Sequence, residues 1–328
     1  MSSRKQLEKI HTFIEEKQIV IYIFVLLIAI AFGLITPDFA GSLDRTISLV
    51  IAILMYSMFS QIPFTALTKP VENKRFIGAL LTVNFIAVPI VVWLLTMLLP
   101  DHPPLLLGAY LVLLTPCIDY VIVFTALGRG NEKQLLLATP VLFIVQIILL
   151  PLYLWLFMGK EAAGIMEIAP FLKAFFGLII LPLGLAIAAQ LYGKHLGSGA
   201  KIINFSAWLP VPFMALTLFV VVASQIGKLA TYADLLIKVV PVYIVFMIIM
   251  PVLSKGIAKW FKLDVASGRA LIFSGSTRNS LVVLPLALTL PNDVGTFVAA
   301  VIVTQTIVEL IGELIYIRVI PTFLLRDE

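Results

Sequence analysis

Residues 111–127 read LVLLTPCIDYVIVFTAL, and residues 271–287 read LIFSGSTRNSLVVLPLA. Each is an apolar run broken in its middle by a short polar stretch, Thr115-Pro116-Cys117-Ile118-Asp119 in the first and Ser274 through Ser280 in the second. A shift of 160 residues lays Asp119 on Asn279 and Val121-Ile122-Val123 on Leu281-Val282-Val283. Further out, Gln146 falls on Gln305 at a shift of 159, and Ser60-Gln61-Ile62 on Ser224-Gln225-Ile226 at 164. A nearly constant offset across several apolar stretches marks an internal repeat.

The sequence around the two breaks is hydrocarbon. Of 328 residues, 61% are apolar and 12% charged, and the mean hydropathy is +1.10. Soluble domains carry about 25% charged residues. This composition excludes a soluble enzyme, a disordered chain and a collagen-like repeat. Ten apolar stretches are long enough to span a bilayer, which takes about 20 residues each. They run approximately over 19–36, 46–68, 76–99, 104–127, 135–158, 168–191, 202–226, 234–254, 268–290 and 294–317. The remaining segments are too short to hold an extramembrane domain.

The expected fold is therefore an all-α membrane protein of ten transmembrane helices, built as two five-helix repeats over 19–158 and 168–317. Because five is odd, the two repeats are inverted, and broken helices 4 and 9 cross at the bilayer midplane. An amphipathic tail, 1–18, precedes them and a short tail, 318–328, follows. The net charge of +5 sorts by topology. With Lys173, Lys238 and Arg269, near span ends, counted in the adjoining segments, seventeen Lys and Arg fall on one side, five on the other, and Arg278 deep inside a span. The positive-inside rule then puts both termini in the cytoplasm of a plasma-membrane protein and leaves no basic surface for nucleic acid. Three glutamates precede the first run, Ile19 to Ile35, which reads as an uncleaved first span. One cysteine and three histidines, all three in tails or loops, predict no disulfide, no metal cluster and no cofactor.

Chemistry is expected at the breaks. A helix interrupted inside hydrocarbon exposes N–H groups with partial positive charge at the start of its second half. Such backbone must face protein or a watery cavity. Thr115, Pro116 and Cys117 in one break, and Ser276, Thr277, Arg278, Asn279 and Ser280 in the other, are the candidate substrate contacts. Arg278 and Asp119 each cost about 2.5–3.5 kcal/mol to place near the bilayer centre. They read either as a structural ion pair or as a proton or cation site (Asp119) tuned by Arg278. Cys117 reads either as packing or as a thiolate favoured by its helix N-terminus, a modest ligand for a metalloid. Gln305, Glu309 and Glu313 make a polar stripe four residues apart. Glu309, with Gln146 and Gln305, joins Asp119 as a candidate for the coupling ion, whereas Glu313 reads as reaching the membrane surface near Arg318. Asn84, Gln61 and Gln225 read as hydrogen-bond partners between helices.

These residues resemble the bile acid/sodium symporter superfamily, and within it the arsenical-resistance (arsenite efflux) branch or its close uncharacterised relatives. The resemblance covers nearly the whole chain. It is carried by Thr115 through Tyr120, by Gly128-Arg129-Gly130-Asn131, and by the run from Ser274 to Pro285. It implies a core and a panel domain that move relative to each other, with spans four and nine crossing in the core. It also implies metalloid recognition by a span-four cysteine, matched by Cys117. The sequence departs from the pattern twice. The glutamate of the span-nine break is replaced by Ser280 or Asn279, and the arginine before the cysteine by Pro116. The expected function is secondary active transport, with arsenite or a related metalloid exported against protons. Import or export of small organic anions, coupled to sodium or protons, is the alternative. A passive channel would not move solute uphill, and an intramembrane enzyme would need a catalytic set that the spans lack.

Overall fold

The computed structural model describes residues 17, 20–22, 24–36, 39, 43–62, 73–118, 120–159, 175–195, 208–229, 232–288, 290 and 292–326. Asp119 and most of the N-terminal tail lie outside the described residues. The described chain is helical: α1 (Val20–Ile35), α2 (Asp44–Gln61), α3 (Lys74–Thr96), α4 (Pro103–Leu113), α5 (Val121–Leu127) and α6 (Glu132–Met158) come from its first half. Then follow α7 (Leu181–His195), α8 (Pro210–Leu229), α9 (Ala233–Trp260), α10 (Val265–Ser276), α11 (Ser280–Leu288) and α12 (Asn292–Val319). Four helical stretches, Lys74–Thr96, Glu132–Met158, Ala233–Trp260 and Val294–Leu324, are long and apolar enough to cross a membrane. The fold is that of an integral membrane protein.

Two compact units divide the chain, 1–61 with 173–232 and 62–172 with 233–328. Each draws on both halves of the sequence. In the first, α2 packs against α7 and α8. Gln190 on α7 donates to the Ser60 carbonyl at 3.0 Å, and the rings of Phe32 and Phe219 lie 5.4 Å apart. Gln61 is exposed, and the side chain of Gln225 lies outside the described residues.

The second unit is apolar outside and polar inside. Trp155, Leu156, Ile248 and Val252 are 60–68% exposed along α6 and α9. Asn84, Ser276, Thr277, Arg278, Glu309 and Glu313 are fully buried. Hydrocarbon solvates the first set and cannot solvate the second.

Prolines show how the interior satisfies its backbone. A helical proline removes the hydrogen bond to the carbonyl four residues earlier. Pro89 frees the Phe85 carbonyl, and the Tyr153 hydroxyl donates to it at 2.6 Å. Pro140 frees that of Leu136, which accepts from Thr139 at 2.7 Å. Pro251 frees that of Met247, which accepts from Tyr316. The local consequence of Pro89 is a π-turn over Val83–Ala87 in α3. That turn aims Asn84 at α10.

At one end of this unit, Gly128-Arg129-Gly130-Asn131 forms the turn between α5 and α6. Arg129 adopts φ 57°, Gly130 donates to the Thr125 carbonyl at 2.8 Å, and the Asn131 side chain caps α6 at the Gln134 N–H. Asp264 caps α10, accepting from the N–H of Ser267 at 2.9 Å and from its hydroxyl at 2.7 Å. Partial burial pushes the Asp264 carboxyl up, and these hydrogen bonds outweigh it and hold it below the usual aspartate value.

Candidate functional site

The two polar breaks meet. Helix α4 stops at Leu113 and α5 starts at Val121, while α10 stops at Ser276 and α11 starts at Ser280. Pro116 and Arg278 form an isolated antiparallel pair between the breaks. Cys117 N–H donates to the Thr277 carbonyl at 3.2 Å, and Asn279 N–H to the Thr115 carbonyl at 2.8 Å. Neither stretch could satisfy these groups in hydrocarbon, so each supplies the other's partners. Close approach is required on the far side too. A Cβ at Gly275 would come within 2.4 Å of Val83 Cγ1 and 2.5 Å of Ser254 Oγ. Glycine alone fits there.

Arg278 holds the crossing from within. One guanidinium nitrogen donates to Asn84 Oδ1 at 2.9 Å and to the Ser274 carbonyl at 2.6 Å. The other reaches the Leu113 carbonyl at 3.5 Å. Ser274 and Leu113 lie in the last turns of α10 and α4, whose carbonyl ends carry partial negative charge. The side chain thus caps the first halves of both broken helices. Asn84 is itself fixed by donation to the Leu80 carbonyl and Ser274 Oγ, and the Phe246 ring lies 5.7 Å from the guanidinium carbon.

Glu309, on α12, ties the two breaks together. Its Oε1 accepts from the Tyr120 hydroxyl at 2.6 Å, and its Oε2 from the Arg278 backbone N–H at 2.7 Å and from Gln305 Nε2. The Tyr120 hydroxyl also lies 2.9 Å from the Arg278 carbonyl. One turn on, Glu313 Oε1 lies 2.7 Å from the Thr277 hydroxyl. The sequence reading of Glu313 as a surface-reaching residue is corrected by its complete burial. The helix continues to Val319 with Tyr316 and Ile320 still buried, so position 313 is deeper than its distance from Arg318 suggested.

The backbone N–H groups of Cys117, Arg278 and Asn279 all have protein partners. What the crossing leaves open is side-chain chemistry. Buried atoms without a hydrogen-bond partner include Gln146 Oε1, Ser254 Oγ, Ser276 Oγ, Ser280 Oγ, Gln305 Oε1 and Glu313 Oε2, with two nitrogens, Arg278 Nε and Asn279 Nδ2. A buried polar group with no partner costs about 1–3 kcal/mol. All eight belong to the second unit, and six sit in the breaks or beside them on α12. This oxygen-rich set suits a proton, a cation or a hydroxylated solute. Cys117 is fully buried where the breaks pair.

The sequence-derived candidates Thr115, Pro116, Cys117, Ser276, Thr277, Arg278, Asn279, Ser280, Gln305 and Glu309 therefore fall in the crossing and on the helix behind it. Gln146 is buried on α6. Asn84 is the interhelical partner its type suggested. The sequence reading missed Tyr120, whose phenol looks like any aromatic of a membrane helix. It also missed Arg269, which falls at the margin of a span. Arg269 is buried and donates to the carbonyls of Leu325, at 2.9 and 2.7 Å, and of Arg129, at 3.2 Å. It pins the chain end to the α5–α6 turn. Among the described residues no cluster of His, Cys, Asp and Glu could hold a metal ion.

A family model, the sodium bile acid symporter family, matches residues 48–232, more than half of the chain. No curated protein matches the chain. The matched segment contains the whole first break, from Thr115 to Tyr120, and the second break lies beyond it. The family is one of membrane transporters, in keeping with apolar spans around a buried polar interior. The chain belongs to the sodium bile acid symporter family.

Proposed function

We propose that the chain is a secondary active transporter that exports a small hydroxylated metalloid, arsenite, in exchange for protons, by alternating access around the crossing. In this reading ten spans form two inverted halves, both termini lie in the cytoplasm, and the protein works in the plasma membrane. The observation that carries it is Cys117, fully buried where the breaks pair, in a crossing that also holds the unpartnered oxygens of Ser276 and Ser280. A thiolate ligates a trivalent metalloid, and hydroxyls and amides accept from its hydroxyl groups. Protons take the coupling role because a guanidinium is built into the crossing. A mobile sodium ion would have to share that space with a fixed positive charge.

A second reading, sodium-coupled transport of small organic anions, follows the family's name and is favoured by the unpartnered Arg278 Nε. It is the weaker one, because the rest of the guanidinium already faces helix carbonyls and Asn84. The test is arsenite uptake into everted membrane vesicles with an imposed inside-acid proton gradient. Uptake should require the gradient and fall to the level of empty vesicles in Cys117→Ser. Arsenite uptake that survives in Cys117→Ser would make Cys117 a packing residue, and absence of uptake in vesicles holding folded wild-type protein would move the reading to organic anions.

A further inference from the structure

We infer that Glu313 is held as a neutral carboxylic acid in this conformation and is the proton-carrying group of the crossing. Nothing in the sequence pattern assigned it such a role.

The argument is a count of protons. The Thr277 hydroxyl has one hydrogen to donate and two lone pairs to accept with. It lies 2.7 Å from the Phe273 carbonyl and 2.7 Å from Glu313 Oε1. Both neighbours are acceptors if Glu313 is ionised, so one hydrogen would serve two equally short contacts. One additional proton resolves the conflict. Placed on Glu313 Oε1, it is donated to Thr277 Oγ1, and Thr277 donates to Phe273. The other carboxyl oxygen points the same way. Glu313 Oε2 is buried and has no donor, a severe cost for a carboxylate and a small one for an acid carbonyl. Glu309, one turn away, shares the first feature, since the Tyr120 hydroxyl lies 2.6 Å from its Oε1 and 2.9 Å from the Arg278 carbonyl, and differs in the second, since its Oε2 takes two N–H donors. Three donors meet its two oxygens, which suits an ionised carboxylate.

The surroundings fit a proton that comes and goes. The charged groups that act on Glu313 are Glu309, on its own helix, and Arg278, from the span-nine break. Tyr316 follows on the same helix. Helix α9 brings Tyr243, whose hydroxyl is committed to the Val301 carbonyl, and α4 brings Tyr110, which bonds the Thr96 hydroxyl. Helices α5 and α11 carry no titratable side chain. Release breaks the Glu313 O–H bond, and water takes the proton. The Thr277 hydroxyl then turns from Phe273 to donate to the new carboxylate. Phe273 is not stranded, because its carbonyl keeps the Thr277 backbone N–H at 2.9 Å. The switch occurs in the break itself, one residue before Arg278.

This assignment borrows from the transport reading only its consequence, since the proton is present whether or not the chain moves arsenite. The measurement is the infrared carbonyl band of protonated carboxyl groups, recorded at neutral pH on the purified full chain in nanodiscs. Exposed aspartates and glutamates are ionised there and silent in this band. Wild type should show a band that shifts in deuterated water, with a component lost in Glu313→Gln and kept in Glu309→Gln. Thr277→Val, which removes the acceptor of that proton without touching the carboxyl, should keep the component and move it to higher frequency. Replacing potassium by sodium should leave it unchanged. Identical bands in wild type and folded Glu313→Gln would overturn the inference, as would loss of the component in sodium, which would make the site a cation site. Should Glu313→Gln not fold, an unshifted band in Thr277→Val overturns it equally. In vesicles, Glu313→Gln should lose gradient-driven uptake and retain exchange of solute across the membrane. Failure of all transport, with the infrared result intact, would count against the transport reading alone.

Discussion

Arg278→Leu lowers the thermal stability of the purified chain in detergent by about 3 kcal/mol or more, the sum of effects acting in one direction. The folded state loses charge-assisted hydrogen bonds to Asn84 and to the Ser274 carbonyl, worth about 1.5–3 kcal/mol each. It also leaves Ser274 and Leu113, at the carbonyl ends of α10 and α4, without their cap. The inserted but unassembled state gains, because it no longer holds a guanidinium in hydrocarbon, a relief of about 2.5–3.5 kcal/mol on insertion scales. Arg278→Lys should fall between the two. An ammonium keeps the charge and lacks the planar fork that reaches both Asn84 and a helix end. An unfolding midpoint for Arg278→Leu equal to that of wild type would show that the guanidinium does not organise the crossing.

Glu309→Ala has the second large effect, on transport first and on stability next. It strips partners from the Arg278 N–H and from Gln305 Nε2, and leaves the Tyr120 hydroxyl its contact with the Arg278 carbonyl. Gradient-driven uptake should drop to background, with a stability loss of about 2–4 kcal/mol from the two unpaired groups. Glu309→Gln separates charge from shape. An amide accepts through one oxygen only, so its NH₂ group must oppose a donor on one side. Intermediate stability and no coupled uptake are expected. Because the Arg278 guanidinium and the Glu309 carboxylate interact electrostatically across the crossing, the double variant should lose less than the two single losses combined. Full additivity would place them in separate networks.

These expectations trace to features that were unequally visible in the sequence. The membrane class was legible from composition, and the two breaks from polar residues at matching offsets in apolar runs. That the backbones of Thr115–Cys117 and Thr277–Asn279 would pair was not legible, because a watery cavity could serve the same groups. Asp119 was the obvious candidate partner for Arg278, and it lies outside the described residues. The guanidinium contacts that are described go instead to Asn84 and two carbonyl ends. Such partners are invisible to charge patterns, because a carbonyl belongs to every residue. Glu313 was misjudged for a related reason. Depth depends on where the helix ends, and α12 runs on past it to Val319. Tyr120 and Tyr316 were hidden among the aromatics, and only the acceptors they reach, Glu309 and the Met247 carbonyl, distinguish them.

The most direct test of the central claim, that the solute is handled where the two breaks pair, uses the chain's single cysteine as its reporter. Cys117 is fully buried, so its alkylation in native membranes by a small permeant maleimide reports opening of the crossing and nothing else in the protein. With a proton gradient imposed, alkylation should quicken, and arsenite should slow it at least several-fold, in step with its transport. A rate that is the same with and without arsenite, in membranes whose protein is folded, would contradict the account.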